Sequence, residues 1–100
     1  MLRISPLTGR VGLRLDGEVD LSTVRSLKLA LAGLSTMDGD VQLELSGLRF
    51  IDLSGAAVLT GFAAGLGGDR RLLLHDPPLV LRRMIRLLWA QQPGIEMSPG

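Results

Sequence analysis

Along this chain of 100 residues, the spacing of apolar side chains switches between every second position and every third or fourth position, and does so repeatedly. A period of two belongs to strands and a period near 3.6 to helices. The alternation restricts the chain to one architecture class, helices packed on a sheet.

The segments follow in order. Leu2 to Leu7 is a short strand ended at Pro6-Leu7-Thr8-Gly9, and Val11 to Leu15 alternates with period two. The pair reads as a hairpin turning at Thr8-Gly9, with Pro6 at a strand end because it lacks a ladder donor. Gly17-Glu18-Val19-Asp20 reads as a polar connection, and Asp20 or Ser22 caps a helix from Ser22 to Leu34 whose apolar set is Val24, Leu27, Ala30, Leu31 and Leu34. After the turn Asp38-Gly39-Asp40, the residues Val41, Leu43 and Leu45 alternate with Gln42 and Glu44 as a strand. Leu48 to Gly55 reads as a loop into a second helix with Val58, Leu59, Phe62 and Leu66 on its apolar face. A strand from Arg71 to His75 follows. Asp76-Pro77-Pro78 then starts a third helix with Leu81, Met84, Ile85 and Leu88 as its buried stripe. Ile95-Glu96-Met97 is a last short strand. Right-handed crossovers make the later strands parallel. The expected fold is α/β: a small mixed β-sheet with an N-terminal antiparallel hairpin, later parallel strands and helices packed on it. One domain spans 1–97, and 98–100 is a frayed tail.

Composition narrows the function. With no Cys, the chain has no disulfide, cysteine-ligated zinc or thiol nucleophile. Eleven basic and ten acidic residues give a net charge of +1, too small to argue for nucleic acid. No apolar run approaches a membrane span, and the first ten residues have no signal-peptide pattern, so a cytoplasmic location is expected. His75 stands alone and is read as a satisfied histidine, because a metal site requires several converging ligands. No catalytic constellation and no cofactor motif is present. Arg82, Arg83 and Arg86 fall within one turn of the third helix, whose apolar arc is widened by Leu79, Val80, Leu87 and Trp89.

One segment has the makings of a recognition surface. Asp52-Leu53-Ser54-Gly55 hands a strand over to a helix N-terminus, where Ser54 can accept from a first-turn N–H and Gly55 permits a close approach. Asp20 precedes the first helix and belongs on the same rim, outside the carboxyl ends of the strands.

The run Leu45-Ser46-Gly47-Leu48-Arg49-Phe50-Ile51-Asp52-Leu53-Ser54-Gly55-Ala56-Ala57-Val58-Leu59 resembles the signature of STAS domains of the bacterial anti-sigma-factor antagonist type. Gly17-Glu18-Val19-Asp20 is similar to that family's Gly-Glu-Leu-Asp element, and Asp76 to Met84 resembles its turn and third helix. The resemblance implies a protein-interaction module that docks on an anti-sigma factor with a kinase-like ATP-binding fold. It further implies that the residue after the loop aspartate is phosphorylated by that partner. Here the position is Leu53, which has no hydroxyl. The chain is thus expected to bind through Asp20, Asp52, Leu53, Ser54 and Gly55 without the usual switch, as a permanently competent antagonist, a scaffold subunit or a relative with another partner. Ser54 keeps a hydroxyl and is the substitute acceptor. A regulatory subunit of a transport system is the alternative. The short C-terminus is expected to leave a sheet edge open to a partner or to a second copy in a homodimer.

Overall fold

Val41, Leu43 and Leu45 point to one face of the middle strand and are fully buried, whereas Gln42 and Glu44 point to the other and stay half-exposed. That division sets the layers. The computed structural model, which describes residues 1–98, holds β1 (Leu2–Pro6), β2 (Gly12–Val19), α1 (Val24–Ala32), β3 (Val41–Ile51), α2 (Leu53–Leu66), β4 (Leu72–His75), α3 (Leu79–Leu88) and β5 (Ile95–Met97). Five strands lie in the order β1-β2-β3-β4-β5. β1 pairs antiparallel with β2 and every later pairing is parallel, as expected from the sequence. α2 packs against α1 on one side and α3 on the other. Leu13, Leu15, Leu27, Leu31, Leu59, Leu72, Leu74 and Leu81 fill the single core between sheet and helices, and the opposite sheet face is open.

The C-terminal ends of β2 and β3 run further than periodicity indicates. The connection expected at Gly17–Val19 is strand, with Glu18 paired to Phe50 and Val19 to Ile51. The loop expected from Leu48 is strand as far as Ile51, and only Asp52 separates it from α2. The register explains the concealment. Between the pairs Arg14↔Glu44 and Asp16↔Gly47, and again between Gly17↔Leu48 and Glu18↔Phe50, β3 advances one residue more than β2. Each bulge flips the parity of inward side chains, so the buried series in β3 is Val41, Leu43, Leu45, Leu48, Ile51. A period-two search stops at the first flip.

Smaller corrections share a cause in packing. α1 is shorter than expected, and Leu27 and Leu31 alone are fully buried on it. On α2 the side chains nearest the sheet are Ala56, Leu59, Thr60 and Ala63, while Val58, Phe62 and Leu66 are only half-buried. The helix lies so close to the sheet that small residues occupy the contact. Pro78 is the residue before α3, not in its first turn, and Leu88, expected in the buried stripe, is 59% exposed. The hairpin connection is longer than Thr8-Gly9, closed by Leu7 N–H donating to the Gly12 carbonyl at 3.1 Å. Ser98, grouped with the tail in the sequence reading, donates its N–H to the Leu74 carbonyl at 2.9 Å; residues 99–100 lie outside the described residues.

Gly17 anchors the N-terminal edge. Its φ of +109° is in the region that favours glycine, and a Cβ would come within 2.2 Å of the Met1 carbonyl oxygen, which accepts from Glu18 N–H. Gly17→Ala is expected to lower stability by about 2 kcal/mol. Urea unfolding should show a lower midpoint at unchanged slope.

Candidate functional site

The register that pairs Val19 with Ile51 makes Asp20 and Asp52 the first residues beyond adjacent parallel strands. Asp52 N–H donates to the Val19 carbonyl at 3.1 Å and ties the two strand ends together. The two acids expected on one rim are therefore brought to it.

Their local roles differ from each other and from the sequence reading. Asp52 is the N-cap of α2: its backbone is extended, its Oδ1 accepts from Gly55 N–H at 3.2 Å, and its carbonyl accepts from Ala56 N–H at 3.0 Å. Ser54 does not cap the helix. Its hydroxyl donates to the same Asp52 Oδ1 at 2.5 Å, so two donors converge on one carboxylate oxygen. Asp20 caps no helix. Its Oδ1 accepts from Ser22 N–H at 2.9 Å and from the Ser22 hydroxyl at 2.6 Å, closing a tight turn, and the N-cap of α1 is Thr23, without a side-chain cap bond. The Thr23 hydroxyl instead donates to the Glu18 carbonyl at 2.9 Å and accepts from Asp20 N–H at 3.0 Å, riveting the turn to β2.

Gly55 is buried where α2 meets the sheet. A Cβ there would fall 2.6 Å from Val19 Cγ1 and 2.7 Å from Ile51 Cγ1, and both of those side chains are fully buried and branched. Glycine is needed to let the helix start this close to the strand ends. Leu53, the first residue of α2, points outward and is 54% exposed. Leu21 stands at the corresponding place after β2 and is 80% exposed, a site residue that sequence reasoning missed. The signal for it was an isolated leucine between Asp20 and Ser22, in a segment with no apolar period to absorb it. The rim thus offers two leucines beside two carboxylates held by their own neighbours. It presents apolar surface and fixed acceptors. Among the described residues no cluster of His, Asp or Glu has the makings of a metal site, and His75 Nε2 is hydrogen-bonded to Gln42 Oε1 at 2.5 Å on the open sheet face.

Two consequences are measurable. Asp52→Ala removes the cap and should cost about 1 kcal/mol, whereas Gly55→Ala, which forces the helix start away from Val19 and Ile51, should cost about 2 kcal/mol; chemical denaturation ranks them. Hydrogen bonds from Ser22 hold the Asp20 carboxyl below its ordinary value of 3.8. Because the folded value is depressed, the turn's contribution is present above the ordinary aspartate range and is lost as pH falls through the folded value. A carboxyl-carbon NMR titration should place the Asp20 midpoint below 3.8, and Ser22→Ala should move it upward.

Comparison with known proteins follows the same outline. The family model described as "Mlab, STAS domain" matches residues 6–92. Among solved structures, the anti-sigma factor antagonist SpoIIAA in its unphosphorylated form aligns with a TM-score of 0.67 at 19% identity, covering 100% of this chain and 89% of its own. The Bacillus cell fate determinant SpoIIAA in the phosphorylated form aligns at 0.68 and 17% identity, covering 99% and 92%. An anti-sigma factor antagonist from Mycobacterium paratuberculosis aligns at 0.75 and 19% identity, covering 100% and 86%. At these identities the structures establish a shared fold. No curated protein matches the chain. With the sheet order and a family match over residues 6–92 in agreement, the chain belongs to the STAS-domain family.

Proposed function

We propose that this chain is an anti-sigma-factor antagonist that docks through the Asp20–Asp52 rim and lacks a phosphorylation switch. One observation carries the reading: the side chain directly after the capping aspartate is Leu53, exposed at the start of α2. A phosphoryl group at that place would add about −1.5 to −2 charge beside Asp52, repelling an acidic partner surface and losing hydration against an apolar one. Leucine can neither accept it nor be repelled. It supplies instead an apolar anchor that loses water on docking, with Leu21 beside it. Ser54, the substitute acceptor, donates its hydroxyl to the carboxylate that caps α2, and a phosphate there would break that bond and stand against the Asp52 charge. The partner on this reading is an anti-sigma factor with a kinase-like ATP-binding fold, bound continuously.

A regulatory subunit of a transport system is the second reading. It is favoured by the exposed Leu79, Val80 and Leu87 on α3, which suit permanent assembly into a larger complex.

The partner co-purified with tagged protein from the source cells separates them: an anti-sigma factor supports the first, a permease or transport ATPase the second. In the first case Leu53→Asp should weaken the complex about 30-fold, equivalent to about 2 kcal/mol, without lowering stability. Leu53→Ser should create an acceptor that the partner phosphorylates in the presence of ATP, with release of the complex. Unchanged affinity of Leu53→Asp, or stoichiometric phosphate on Ser54 in protein isolated from its own cells, would refute the switch-free rim.

A further inference from the structure

Negative charge is excluded from the helices of this protein. All ten acidic residues lie on strands and connections, and none lies within α1, α2 or α3. The helices carry only positive charge: Arg25 and Lys28 on α1, and Arg82, Arg83 and Arg86 on α3. Arg82 is engaged by the Ser98 carbonyl, while the other four are exposed.

α2 lies between these two basic helices, and its 14 residues include no charge at all. A helix without a charged face is ordinarily covered on every side. This one is not. Beside it, the surface between α1 and α2 forms a groove of about 510 Å³ lined by Lys28, Leu31, Ala32, Val58, Gly61 and Phe62. Most of that lining is apolar, and Lys28 supplies its charge.

From this combination we infer that the α1–α2 groove is a second docking surface, and that its occupant is an acidic amphipathic helix of a partner protein. The groove is concave and lies between two helices, which fits the apolar face of a third helix and does not fit a flat lipid surface. Lys28 in the lining, with Arg25 one turn earlier on α1, favours carboxylates on the occupant. A symmetric second copy is disfavoured, because it would set Arg25 and Lys28 of one copy against the same cations of the other. The surface is distinct from the Asp20–Asp52 rim and stands whether or not the rim binds an anti-sigma factor.

The test uses the full chain, isotope-labelled, and a synthetic helix-forming peptide about as long as α2, with leucine and alanine on one face and glutamate along both flanks. Amide shifts of Lys28, Ala32, Val58 and Gly61 should move on titration. Replacing every glutamate by glutamine, or Lys28 by glutamate, should weaken binding about tenfold, and added salt should do the same. Gly61→Glu should block the groove without unfolding the protein, since no atom lies within 4 Å of a Cβ at that position. Leu21→Asp, at the rim, should leave peptide affinity unchanged. Equal binding of the glutamate and glutamine peptides, shifts confined to the rim or open sheet face, or no binding would each overturn the inference. So would a dimer abolished by Gly61→Glu, or binding to phosphatidylglycerol vesicles in place of the peptide.

Discussion

The junction of Gly55 with Val19 and Ile51 governs the functional end of this protein. Two fully buried branched side chains, each closing a strand, leave no space for a Cβ at the third residue of the helix that follows. Because α2 can start that close, Asp52 can bridge strand and helix with one residue, its N–H bound to β2 and its carboxylate capping α2. Leu53 then has only one direction left, outward. Its exposure is a consequence of how tightly its neighbours are packed.

The same tightness accounts for the composition of α2. With Ala56 and Ala63 against the sheet and Leu59 between them, the backbone approaches the strands closely, and the larger Val58 and Phe62 are displaced to the flanks. There they line the groove against α1. A helix that packs by small residues leaves its bulkier apolar side chains to be shared with neighbours, and at the α1 side the neighbour is incomplete. Both surfaces considered for partners, the rim and the groove, are thus by-products of one close helix–sheet contact.

The two bulges in β3 perform a related service. Each adds one residue relative to β2, and together they bring Ile51 level with Val19 so that Asp20 and Asp52 emerge side by side. Without them the strand ends would be staggered by two residues, about 7 Å, and the acids would not share a rim. The cost is legibility. Local periodicity found β3 as far as Leu45 and then read strand as loop, because the inward parity changed twice within six residues.

What the residues alone determined is the order of elements, the mixed sheet with its antiparallel start, and the substitution of leucine at the position after Asp52. These follow from side-chain periods and from the identity of single residues, both of which are local. The segment Leu45–Leu59 also carried the family resemblance, since its glycine, aspartate and serine occupy a strand-to-helix joint that tolerates few alternatives. Tertiary structure decided the rest. That Asp52 and not Ser54 caps α2, that Asp20 closes a turn, that Leu21 joins Leu53 on the rim and that α1 and α2 leave a groove between them all depend on which strand ends are paired and which helix faces are covered. Such relations are set by contacts between residues far apart in the chain, and no local spacing records them.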